Sequence, residues 1–301
     1  METRPFGNTG WQVSRLGVGL SEIGFGLTFA DEGRAARVLN AALDAGINLL
    51  DTAACYNISE ELVGRTVANR RSEYFLATKA GHVTGGYEGE EWTYRTVADS
   101  IDRSLKRLQT DHLDVVQLHS CDVDVLERGD VIRALQEAEA AGKTRFIGYS
   151  GDNEAALWAV RSGLFDTLQT SFNLTDQGAR HTLLLEAEAR GMGIIAKRPI
   201  ANAAWGAASS PSGYADEYWR RAQAMQAEGL LPLAPDDRIS LALAFTLAHD
   251  EVDVAIIGTK NPEHMLGNIR RVEEGVSIAP ETLEALHARF DRLDNGWVQK
   301  G

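Results

Sequence analysis

The chain repeats one unit: a short, almost continuously apolar run, a loop, a helix-period segment, and then the unit again. The runs are RLGVGL (15–20), INLLDTA (47–53), YFLATKA (74–80), LDVVQLH (113–119), TRFIGYS (144–150), DTLQTSF (166–172), GIIAKRP (193–199) and VDVAIIG (252–258). They are short and often β-branched, the pattern of strands buried on both faces. The segments between them are amphipathic. Segments 33–46, 128–143 and 178–191 each run out at a glycine, a frequent helix terminator. Segment 93–109 puts Val97, Ile101, Leu105 and Leu108 on one face. Helices are also predicted after the second, fifth, seventh and eighth runs.

Eight strands alternating with helices favour a parallel sheet. In 301 residues the count fits a closed (β/α)8 TIM barrel. An open doubly wound sheet is the competing architecture, but no G-x-G-x-x-G follows the first strand. The leading segment RPFGNTGWQVSRLG carries the turn signal NTG between two short strand-like pieces. It predicts an N-terminal β-hairpin at the bottom of the barrel. No linker-like block divides the chain, so residues 1–301 read as a single domain. Segment 201–214 reads as a mobile loop, and the helix after it, through Gly229, as an insertion. Asp236 or Asp237 is placed to cap the next helix.

Forty-three acidic against 30 basic residues give a formal charge of −13, which argues against nucleic acid and anionic lipid as partners. The stretch ISLALAFTLA (239–248) is too short to span a bilayer, and METRPFGNTG lacks the apolar core of a secretory signal. Cys55 and Cys121 show no metal-ligand spacing, and two thiols in a chain this long fit the reducing cytoplasm. A monomer and a polar-faced homo-oligomer are both compatible with this surface.

Catalytic groups of such barrels sit at the C-terminal ends of the strands. Asp51 and Tyr56 follow the second strand, Lys79 ends the third and His119 the fourth. Ser150, Gln169, Asn173, Lys197 and Arg198 lie at later strand ends. A phenol has a pKa near ~10, and a neighbouring ammonium favours its phenolate. A carboxylate beside that lysine would hold its charge in place, and a histidine could donate to a carbonyl oxygen. The four groups together make a device for delivering a proton to an oxygen that gains negative charge. Each has a structural alternative, as a cap, a packed ring or a solvated charge; their joint placement on consecutive strands distinguishes the readings. Cys55 reads as a small packing residue, and Trp205 as either a pocket wall or a loop anchor.

In this order, LLDTAACY, FLATKAG and VVQLHS resemble the catalytic segments of the aldo-keto reductase superfamily. RPFGNTGWQVSRLGVG is similar to its N-terminal hairpin and first strand. KTRFIGYS, LQTSFN and AIIGTKNPEHMLGNI resemble its fifth, sixth and eighth strand regions. The resemblance implies the (β/α)8 fold and NAD(P)H-dependent reduction of an aldehyde or ketone to an alcohol. Tyr56 would be the general acid, Lys79 would depress its pKa, Asp51 would pair with Lys79, and His119 would orient the small-molecule carbonyl substrate. Ser150 and Gln169 match positions that hold the nicotinamide carboxamide. Gly258, Thr259, Lys260, His264 and Asn268 match the cofactor's phosphate end, where the helix beginning near Pro262 would aim backbone N–H groups.

There are departures. Gly151 and Asp152 follow Ser150 where Asn often stands. Lys197 occupies the strand-seven position of an aromatic that stacks on nicotinamide; its stem would cover the ring face. His264 stands where NADP-preferring members often have arginine, and Lys260 would compensate as a point charge. The expected cofactor is NADPH, with NADH as the alternative. No metal is implied. The rival readings are an NAD-dependent sugar or polyol dehydrogenase working toward oxidation, a cofactor-binding regulatory barrel without turnover, and a metal-dependent hydrolase. The intact tetrad and the lack of clustered His/Asp ligands argue against the last two.

Overall fold

The structure is a computed structural model, and it describes residues 1–299. Two short strands, β1 (Thr3–Pro5) and β2 (Gln12–Ser14), pair antiparallel. Eight more follow: β3 (Leu16–Gly19), β4 (Leu49–Asp51), β5 (Phe75–Ala80), β6 (Leu113–His119), β7 (Thr144–Ser150), β8 (Thr167–Ser171), β9 (Gly193–Lys197) and β10 (Val254–Gly258). All eight pair parallel in the closed order β10-β3-β4-β5-β6-β7-β8-β9. Each predicted run contains its strand. Strand β4 is buried at every position, as are β6 up to His119 and β8 throughout, which is why their sequences do not alternate.

The hairpin does plug the bottom. Phe6 and Val13 pack with Leu49, Ala77, Val115, Ile195 and Val254 inside the barrel. Trp11 stacks on Phe75 at 4.3 Å and meets Phe146 edge-on at 4.7 Å. Aromatic pairs in these geometries add about 0.5–1.5 kcal/mol beyond their area burial. The bottom is therefore filled by apolar side chains, while polar groups collect at the top.

The helices follow the predicted places with two changes. The segment read as a helix over 128–143 holds the helix Asp130–Ala140, and a further short helix, Val123–Arg128, precedes it. Gly129 between them has φ +74°, a left-handed conformation that ends the first helix. Segment 178–191 begins as a 3₁₀ turn, Gly178–His181, and becomes α-helical only from Leu183 to Ala189, since Thr182 leaves the helical region (φ −146°). Thr93 caps Tyr94–Leu108 by accepting from the Thr96 amide. Asp237 caps Arg238–Leu247, accepting from the Ser240 amide at 2.9 Å. Among the described residues no helix is long and apolar enough to cross a membrane.

Candidate active site

Strand register sets the stage. Cα pairing places Gly258 beside Gly19, Gly19 beside Asp51, His119 beside Ser150, and Ser150 beside Gln169. These residues stand at one rim, the C-terminal ends of the strands. A cleft of about 980 Å³ opens there, lined among others by Asp51, Tyr56, His119, Ser150, Gln169, Lys197, Gly258, Thr259, His264 and Asn268. That is ample for a ligand of dinucleotide size.

Lys79 lies just beneath the cleft, fully buried. Its Nζ donates to Asp51 Oδ2 at 2.6 Å and to the Thr52 carbonyl at 2.9 Å. The other Asp51 oxygen accepts from Gln169 Nε2 at 2.8 Å and Gln117 Nε2 at 3.3 Å. Burial works against the ammonium, but Asp51 and Tyr56 more than reverse it and hold Lys79 above its ordinary pKa. A buried charge survives only with partners of this kind.

Tyr56 sits 5.0 Å, ring centre to Nζ, from Lys79. Its backbone is fixed by the short helix Ser21–Gly26. A side chain at Gly24 would come within 2.0 Å of the Tyr56 carbonyl oxygen, so only glycine allows that approach. Burial pushes the Tyr56 phenol above its ordinary pKa, while the charge of Lys79 and its hydrogen bond pull it back. The lysine thus acts in the expected direction, but desolvation wins. The phenol keeps its proton at neutral pH.

His119 faces Tyr56 edge-on with ring centres 5.6 Å apart. Burial, followed by the charges of Lys79, His82, Lys197 and Arg198, keeps its pKa well below the usual histidine value. The ring is therefore neutral and carries one N–H. Cys55 Sγ lies 3.2 Å from Nδ1. Burial pushes that thiol up to about 11, so it stays S–H and donates. Nδ1 accepts, and Nε2 is left as the donor. Cys55 was expected to be a packing residue only; this contact shows that it also engages His119.

The sequence pattern of the Aldo/keto reductase family matches residues 15–280. The chain belongs to the aldo/keto reductase family. It is 28% identical to the L-galactose dehydrogenase of Arabidopsis thaliana over 98% of this chain and 96% of that protein. It is 29% identical to the 6-dehydroglucose reductase of Novosphingobium aromaticivorans, covering 94% of this chain and 92% of that one. Among solved structures, the aldo-keto reductase AKR11C1 from Bacillus halodurans in its holo form superposes with a TM-score of 0.79. It is 25% identical, with 96% of both chains covered.

Two of the departures from the aldo-keto reductase pattern, Lys197 and Asp152, are each other's partners. Lys197 Nζ lies 3.0 Å from Asp152 Oδ2. Asp152 also accepts from Thr170 Oγ1 at 2.8 Å and from the Ser171 amide at 2.7 Å. Ser150 Oγ donates to Gln169 Oε1 at 2.9 Å, so both ends of the Gln169 amide are engaged within the protein.

At the far end, His264 and Asn268 share a face of the helix Pro262–Glu273. Lys260 does not line the cleft; it is exposed and its stem covers Gly26. Two arginines absent from the sequence reading do line it, Arg238 and Arg271. Arg271 Nε donates to Asp237 at 2.6 Å. Arg271 falls seven residues after His264, on the same helical face, and that spacing was available as a signal.

The loop after β9 holds Arg198, Ala201, Asn202 and Ala203 at φ of +58°, +48°, +51° and +60°. Such conformations are costly for residues other than glycine and cluster at functional sites. Asn202 lines the cleft with an amide nitrogen that has no protein acceptor. Trp205 is buried in the main core and does not line the cleft; it anchors its loop. Phe25, 5.9 Å from the Tyr56 ring, forms part of one wall. His82 lies 5.3 Å from His119, with Trp92 4.7 Å behind it.

Proposed function

We propose that this protein interconverts an aldehyde or ketone and its alcohol, with NADPH as the preferred dinucleotide and Tyr56 as the acid in reduction. The observation that carries the reading is the triple juxtaposition of a buried Lys79–Asp51 pair, the Tyr56 phenol and the His119 ring at one cleft. The cleft residues fit a dinucleotide. Asn202 offers an unused donor, Ser150 and Gln169 offer polar groups near Tyr56, and Arg238 and Arg271 offer positive charge at the other end. Bound there, the nicotinamide would supply or accept a hydride at the substrate carbon.

The chain's own groups do the rest. His119 Nε2–H donates to the carbonyl oxygen and orients it. Tyr56 gives its proton to that oxygen as negative charge develops, and the Lys79 ammonium stabilises the phenolate left behind. Asp51 keeps the ammonium in place and offsets its charge. Run backward, the phenolate takes the alcohol proton. Because burial raises the phenol, its acid form, which reduction uses, persists at neutral pH, and the phenolate that oxidation uses gains as pH rises.

A second reading is a sugar or polyol dehydrogenase working with NAD toward oxidation. Its sugar class is supported by the names of the L-galactose dehydrogenase and 6-dehydroglucose reductase relatives, and its direction by the first of these alone. Both readings use the same four groups. The test is Tyr56→Phe, assayed with an aromatic aldehyde and with aldoses in both directions. The expected result is a loss of turnover of about 10²–10⁴-fold with dinucleotide affinity nearly unchanged. Wild-type turnover in the variant would remove Tyr56 as the acid.

A further inference from the structure

Two buried opposite charges on a cleft floor need a reason, because burying the pair costs desolvation and an apolar pair of similar volume is often no worse. Lys197 and Asp152 are such a pair. The Asp152 side chain is 1% exposed and that of Lys197 13%, at 3.0 Å. The carboxylate is built to stay ionised. It accepts from Thr170 Oγ1, from the Ser171 amide and from Ser171 Oγ at 3.1 Å. Lys197 lines the cleft together with Tyr56, His119, Ser150 and Gln169. Its charge reaches His119, and that of Lys79 reaches Lys197 in turn. Any group held for reaction at Tyr56 and His119 therefore lies within electrostatic reach of this pair.

An oxidised nicotinamide carries a positive charge on its ring, and a reduced one does not. We propose that the Asp152–Lys197 pair is a positioning element. It presents the uncharged lysine stem to the ring, balances the ammonium, and so sets the relative affinity for oxidised and reduced dinucleotide. The inference rests on the nicotinamide reading above. Unpaired, Lys197 would repel the oxidised ring; unpaired, Asp152 would attract it.

The experiment is direct binding, by fluorescence or calorimetry, of NADP⁺, NADPH, NAD⁺ and NADH to wild type and three variants. Lys197→Met keeps the stem and leaves the carboxylate, so the ratio of oxidised to reduced dissociation constants should fall about tenfold. That is the scale of a nearby unit charge under protein-like screening. Asp152→Asn should shift the ratio upward, and the double variant should return toward wild type. If Asp152→Asn fails to fold, the Lys197→Met ratio decides alone. Dinucleotide binding with one ratio across all folded variants overturns the inference and leaves the proposed function standing. No binding of any dinucleotide to wild type overturns both.

Discussion

The rim carries two buried lysine–aspartate pairs that look alike and behave differently. Lys79–Asp51 and Lys197–Asp152 are separated by 2.6 and 3.0 Å, and all four side chains are at least largely buried. Burial opposes the charge of both lysines. At Lys79 the partners Asp51 and Tyr56 win and the pKa rises; at Lys197 burial wins, with Arg198 and Lys79 adding repulsion to the part Asp152 recovers, and the pKa falls. The difference lies in the other neighbours. Lys79 has a phenol beside it that gains from its charge, whereas Lys197 has further cations. On the proposed reading one pair stabilises the phenolate formed during reaction, and the other balances a cation beside the dinucleotide.

The comparison breaks most sharply at Lys79. Lys79→Met should cut turnover by about 10²–10⁴-fold and, by stranding Asp51, should destabilise the fold by about 3–5 kcal/mol. A thermal melt alongside the assay separates the two effects. Lys197→Met should lose much less turnover than Lys79→Met, its main effect being the shift in dinucleotide preference described above. Equal losses of turnover would erase the distinction between the pairs. The smallest effect is expected at Cys55, whose thiol meets His119, the proposed donor to the carbonyl. Cys55→Ala should lower kcat/KM about two- to fivefold, the scale of one modest hydrogen bond. Cys55→Ser should restore much of it, because a hydroxyl can also donate to Nδ1. A serine variant no better than alanine would reduce the contact to packing.

Most of the barrel was legible because its strands are buried on both faces and its crossovers end in clear signals. The hairpin was legible from NTG and its flanking apolar residues, which the structure packs around Trp11. The tetrad was legible because strand ends share one rim. The short helix Val123–Arg128 was not, since it spans under two turns and lies ahead of the segment whose apolar spacing marks a helix. The partnership of Lys197 and Asp152 was hidden by the 44 residues between them; it exists only because β7, β8 and β9 lie side by side. The net direction of the Tyr56 pKa was not legible for a similar reason. The neighbouring cation could be inferred from sequence, whereas the degree of desolvation depends on packing by helix Ser21–Gly26 and the cleft walls. Lys260 illustrates the limit of spacing arguments: one residue past Thr259, its side chain turns to Gly26 instead of the cleft.

The central claim is that Lys79 and Tyr56 are electrostatically coupled. It is tested most directly by titrating the Tyr56 phenol, ζ-carbon labelled and followed by NMR, in wild type and in Lys79→Met. Wild-type Tyr56 should lose its proton above the ordinary tyrosine value of about 10, as burial dictates. Removing the cation takes away the charge that favours phenolate and leaves Asp51 opposing it, so the titration should move higher still. A midpoint that stays put, or falls, when Lys79 is replaced would contradict the account.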